Sequence, residues 1–210
     1  MKELISLLLF FPFLVHAQLL EKKETPKVEG HYWDLNGNKQ IGFFEIDHTK
    51  SAGVGTKIKF YADGSDKPEK LNKKHMTSFV MGSDSFALIH NFRVTPIIKY
   101  ISDFAEVVDT GAIHLYLHKR KAQQSGSTGM NSGFGTAYNS IYLEDYIIRK
   151  NNSQEYICIS SKKTLEDVFL PMIEDYTELH KSVSLMKPKD AIEQLPALVR
   201  EYNKYKKANP

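Results

Sequence analysis

The sequence predicts an α+β fold: an antiparallel β-meander of about nine strands, a sandwich or barrel, followed by two or three C-terminal helices. Three observations predict it. Short β-like runs from Val28 to Ser160 are punctuated by turn residues such as Asn36-Gly37 and Asp109-Thr110-Gly111. After Ser161 the apolar period changes from two to about 3.6. The 210-residue chain, 41% hydrophobic, is long enough to bury a core without staples, and its single cysteine, Cys158, excludes an internal disulfide.

The chain opens MKELISLLLFFPFLVHAQ. Lys2 precedes a run from Leu4 to Val15 that is apolar except for Ser6, too short for the ~20 residues of a membrane span. Val15 and Ala17 stand three and one positions before a cut ahead of Gln18. Residues 1–17 are expected to be a secretory signal, and residues 18–27 a flexible polar leader. No later segment reaches the length of a membrane span, so the mature chain is expected to have none.

The β-domain is expected over residues 28–161. Val28–Leu35 and Gln40–Asp47 flank Asn36-Gly37 as a hairpin. Thr56–Ala62 alternates. Asp63–His75 reads as a polar loop. Thr77–Met81 and Phe86–Phe92 flank Gly82-Ser83-Asp84-Ser85, with Phe86, Leu88, His90 and Phe92 assigned to one face. Asp103–Val108 and Ala112–His118 form the next hairpin, and Tyr142–Lys150 and Gln154–Ser160 the last. Residues 122–136, rich in Gly, Ser and Gln, are expected to be a disordered loop.

The C-terminal helices are expected over residues 162–210, packed on the β-domain. Leu165, Val168, Phe169, Met172, Ile173 and Tyr176 make one apolar stripe, with Pro171 expected to kink or divide it. A second helix should begin near Pro188, face Ile192, Leu195, Val199, Tyr202 and Tyr205 or Lys206 inward, and kink at Pro196. Tyr202 and Tyr205 are the candidates for a partner face.

Charge is nearly balanced, 28 Lys and Arg against 25 Asp and Glu, and no basic stripe marks a nucleic-acid binder. The best chemical lead is DLNGNKQIGFFE, where Asp34, Asn36, Asn38 and Glu45 match ligand positions of a calcium loop. Lys39 stands where that loop needs glycine, and neither flank has a helical stripe, so a hairpin is the preferred reading. His114 and His118 in IHLYLH alternate with apolar residues and read as a strand, about 13 Å apart, on a surface or groove. Cys158, between Ile157 and Ile159, reads as a packed thiol. Glu45 and Asp47 share a strand face, but two acids so placed are common. Asn151-Asn152-Ser153 is a glycosylation sequon that matters only in a eukaryotic source.

No catalytic residue, cofactor or metal site is therefore assigned. The expected function is an exported, non-catalytic protein that binds a protein or envelope component or supports an extracellular assembly. Two alternatives stand beside it: a carrier of an apolar small molecule in a β-barrel cavity, and a secreted hydrolase using carboxylates or His.

Overall fold

The computed structural model describes residues 26–45, 58–125 and 138–209. The expected signal, most of the leader, Asp47 and residues 126–136 of the glycine-rich loop lie outside them. Ten strands form one antiparallel sheet: β1 (Val28–Asp34), β2 (Lys39–Glu45), β3 (Ile58–Ala62), β4 (Glu69–Leu71), β5 (Met76–Met81), β6 (Asp84–Arg93), β7 (Lys99–Asp109), β8 (Ile113–Ser125), β9 (Tyr138–Lys150) and β10 (Ile157–Cys158). Their order is β10-β9-β8-β7-β6-β5-β1-β2-β3-β4. Every neighbour is also a sequence neighbour except β5 and β1. The meander and its trailing helices are those the sequence predicts. The sheet is not closed into a barrel: β10 and β4 are its two edges, both short, and β4 carries Glu69 and Lys70 toward water, a charged edge that discourages pairing with another chain. β4 lies inside the expected polar loop, and β8 runs four residues into the expected glycine-rich one.

The two halves of the sheet bury opposite faces. On one face of the N-terminal half, Tyr32, Phe44, Phe60, Leu71, Met76 and Phe79 form a core to which no helix among the described residues contributes. Gly30 and Gly42 sit opposite each other in the β1–β2 ladder, and a Cβ on either would lie 2.1 Å from a carbonyl oxygen of the next strand, Val80 or Tyr61. Only glycine permits that approach. In the C-terminal half the other face is buried by Ile89, Phe92, Ala105, Tyr116, Ile147 and Cys158, and β10 curls round to approach β6.

Asn91 explains one departure from simple alternation. Its φ is 52°, the left-handed region, inside β6. Ile89 and Phe92, three residues apart, consequently face the same core, while Phe86 and Leu88 pack in the other. The single face expected for Phe86, Leu88, His90 and Phe92 does not form, because the strand changes phase at Asn91 and leaves His90 exposed.

The remaining face of β8–β10 is covered by helices. α1 (Lys162–Thr164), a π-helical turn (Leu165–Phe169) and α2 (Leu170–Met172) run as one segment, capped by reciprocal bonds between Ser161 and Thr164. Pro171 has no N–H and crowds the carbonyl four residues back, so the widened turn before it accommodates the ring. α3 (Thr177–Leu185), α4 (Pro188–Glu193) and α5 (Leu195–Ala208) follow. Pro196 does not kink a long helix; it stands in the first turn of α5, after a break at Gln194. Leu165, Phe169, Ile173, Val199 and Tyr202 pack with Ile113, Leu115 and Ile148 of the sheet and with Ile159 just after β10. Asn203 ties α5 down: its amide accepts from Ile113 N at 2.9 Å and donates to Ile113 O at 2.8 Å, as a neighbouring strand would. No helix among the described residues is long and apolar enough to cross a membrane.

Candidate functional site

The calcium-like segment is a hairpin. Gly37 N–H donates to Asp34 O at 3.1 Å and Asp34 N–H to Asn38 O at 2.9 Å, and Gly37 alone in the turn has a positive φ, 82°. This is a three-residue loop with glycine in the left-handed position, not a two-residue Asn-Gly turn, which would need Asn36 there too. The Asp34 carboxylate is engaged by its own turn: Oδ1 accepts from the N–H groups of Asn36 and Asn38 at 2.8 Å each, and Oδ2 from Asn38 Nδ2 at 3.0 Å. Those bonds, that of the Asn38 side chain first, hold its pKa below the ordinary value. Glu45 lies at the other end of β2, six residues of ladder or roughly 20 Å away, bonded to Lys59 and Tyr61. Asp34 and Glu45 cannot meet on one ion.

The expected partner-face tyrosines turn toward their own chain. Tyr202 is buried and donates to Asp175 Oδ1 at 2.8 Å; Tyr205 donates to Asp175 O at 3.1 Å and stacks on Tyr176 with ring centres 4.2 Å apart. Burial, then the Asp175 carboxylate, pushes the Tyr202 pKa up.

His118 departs most from expectation. It is not on a surface or groove: it is 0% exposed. Tyr116, His118 and Arg120 alternate onto the inner face of the curled half, where Asp103 of β7 and Asp145 of β9 join them. Nε2–H of His118 donates to Asp103 Oδ2 at 3.0 Å. Asp145 is its cross-strand partner, with Oδ2 3.9 Å from Nδ1, beyond hydrogen-bond range, so that carboxylate acts on the ring as a charge. Arg120 Nε donates to Asp145 Oδ2 at 2.6 Å. The stacked rings of Phe92 and Tyr100 meet the imidazole edge-on, at 5.0 and 4.8 Å. Two buried carboxylates against one guanidinium leave one negative charge, and a protonated His118 cancels it. Burial by itself depresses the His118 pKa, but the Asp103 and Asp145 carboxylates outweigh it and the net displacement is upward. For Asp145 burial acts upward, and His118 and Arg120 overcome it downward. His114, by contrast, is half-buried and bonds Asn151 Oδ1 at 3.1 Å.

Above this cluster, at the end of the curl, lies a cleft of about 600 Å³ between the β6–β7 turn, β10 and the start of α1. Val94, Ile157 and Cys158 give it an apolar floor. Arg93, Lys99 and Lys163 stand on its rim with one acid, Glu155. None of the three cations has an acidic partner among the described residues; Arg93 donates only to Pro96 O, at 3.0 Å. The cleft is preformed. Val94 N–H bonds Ile98 O and Ile98 N–H bonds Thr95 Oγ1, both at 3.1 Å, so the turn carrying Arg93 and Lys99 is braced. The Ser161 and Thr164 hydroxyls on the opposite wall are used by the helix cap. Cys158 is packed as expected, and burial pushes its thiol up to about 11, which makes it a poor nucleophile.

Sequence reasoning missed both features. Asp103 in phase with Ala105, and Asp145 in phase with Ile147, are charges on apolar strand faces, and that was the available signal. Arg93, Lys99 and Lys163 gave none, because three surface cations far apart in sequence look like any others. Among the described residues no three His, Cys, Asp or Glu side chains are placed to hold a metal. No protein-family model, curated protein or solved structure matches the chain.

Proposed function

We propose that the protein is an exported, non-catalytic binding protein whose ligand seat is the cleft between the β6–β7 turn, β10 and α1. The observation that carries the reading is the cleft itself: about 600 Å³, braced on both sides, with an apolar floor and polar groups at its rim. Binding sites for small molecules have this size and make-up. The cluster that resembles acid–base machinery argues against a hydrolase, because His118 has no exposed surface for a substrate atom to reach and the nearby thiol is held protonated. Export rests on the short apolar segment before Gln18, and N-terminal sequencing of protein recovered outside the cytoplasm tests it: a retained Met1 refutes it. For the cleft, titration with the neutral fluorescent probe N-phenyl-1-naphthylamine should give saturable 1:1 binding that the cleft-filling variant Thr95→Trp abolishes. Unsaturable binding, or binding unchanged in the variant, refutes the reading.

A second reading, support of a larger assembly, is favoured by exposed apolar side chains on the face of the N-terminal half opposite its core. There Ile41 and Phe43 are 59% and 40% exposed beside the half-buried Trp33. Ile41→Glu with Phe43→Glu should then release the protein from its assembly in sedimentation; unchanged sedimentation of an assembled wild type refutes it.

A further inference from the structure

Resting on the cleft as the ligand seat, we infer that its ligand is a small amphipathic anion: a carboxylate or similarly charged head at Arg93, Lys99 and Lys163, with an apolar body on Val94, Ile157 and Cys158. Three cations and Glu155 leave the rim at +2. Elsewhere on the chain many cations have acidic partners close by: Lys59 pairs with Glu45, Lys119 with Glu106 and Glu144, Arg120 with Asp145, Lys206 with Asp175. At the cleft they converge without them, from two separate elements, the β6–β7 turn and the first turn of α1. An anion entering the cleft meets attraction from both sides at once.

The floor sets the other half of the ligand. Val94 and Cys158 are buried members of the core around Phe92, so this surface is rigid, and the Cys158 thiol stays neutral beside an apolar body. A wholly polar anion, such as free phosphate, would satisfy the rim and leave the floor wet. A wholly apolar molecule would cover the floor and gain nothing from the cations. An amphiphile with one charged end uses both.

The test compares three ligands of one chain length against the intact protein: decanoate, decanol and decyltrimethylammonium, each displacing N-phenyl-1-naphthylamine. Isothermal titration of each ligand alone serves as a second measurement. Decanoate should bind about tenfold tighter than decanol, a modest margin because exposed charges are screened, and the cation weakest. Lys99→Glu with Lys163→Glu should cut the decanoate preference to about twofold or less, and leave decanol unchanged. These residues are exposed, so the variant should fold, and an unchanged melting temperature verifies that. Equal binding of decanoate and decanol overturns the anion inference while the cleft reading survives. Binding of none of the three, with no binding of the neutral probe, overturns both.

Discussion

Replacing His118 with leucine removes the one side-chain proton donor that faces Asp103 among the described residues. That carboxylate, 3% exposed, would keep one hydrogen bond, from the Phe104 N–H at 3.0 Å. Asp145 would keep Arg120, so the deficit falls on Asp103. Removing one partner from a buried ion pair costs about 3–5 kcal/mol, because the remaining charge is stranded. Leucine retains part of the packing against Phe92 and Tyr100, so the loss is mainly electrostatic. Asp103→Asn, which removes the stranded charge, should cost less, about 1–3 kcal/mol, and the double variant should be more stable than the sum of the two losses allows. The same geometry fixes a pH profile. The folded pKa of His118 is raised above its ordinary 6.5, so its contribution is complete below 6.5 and is lost as pH rises through the folded value. Asp145 is displaced downward from 3.8, so its contribution is present above 3.8 and is lost as pH falls through the folded value. Stability should therefore be greatest between these limits, in mildly acidic solution, with an alkaline decline that Asp103→Asn flattens. Urea unfolding followed by circular dichroism from pH 3 to 9 reads all of this. A wild-type midpoint that stays flat above pH 6.5, or strictly additive losses in the double variant, would refute a charged His118 at the centre of the cluster.

Other expectations follow from the packing. Gly42→Ala forces a Cβ against the Tyr61 carbonyl, and chemical denaturation should show a loss of about 2 kcal/mol or more. Asn91→Val should cost about 1–2 kcal/mol by placing a β-branched residue at a φ of 52°, whereas Asn91→Gly should be near neutral; the same assay compares them. Truncation after Ser161 uncovers Ile113, Leu115 and Ile148, and should lower the melting temperature sharply or cause aggregation in calorimetry. Cys158, on the cleft floor with its thiol held protonated, should react slowly with a disulfide reagent in the native protein and faster on unfolding; fast labelling of native protein at neutral pH would contradict the raised thiol pKa.

The hairpins and the helix stripe were legible because they are local. Turn residues and strand alternation sit within about ten residues of one another, and Leu165, Phe169 and Ile173 announce their face by spacing alone. What was not legible is which face of each strand meets water. The N-terminal half buries one face and β8–β9 bury both, and alternation cannot tell a covered polar face from a wet one. By alternation alone His118 accordingly reads as a surface or groove residue. Its partners arrive from strands on either side, and only the register that sets His118 opposite Asp145 reveals them. The phase change at Asn91 was invisible for a related reason: asparagine tolerates the left-handed conformation without demanding it. The cleft depends on three elements meeting at the end of the curl, which no local pattern encodes.

The position of β1 bears on how the chain reaches this structure. As the chain emerges from its N-terminus, β1 can pair with β2 at once, and β3 and β4 can follow. The other edge of β1 then waits until residues 76–81 appear and β5 docks against Gly30–Asp34. Until that moment an interior strand of the finished sheet is an open edge, with Trp33 beside it. Such an edge invites pairing with another chain. The order of synthesis thus gives this protein a defined window of vulnerability to misassembly, which closes when a strand some forty residues downstream arrives.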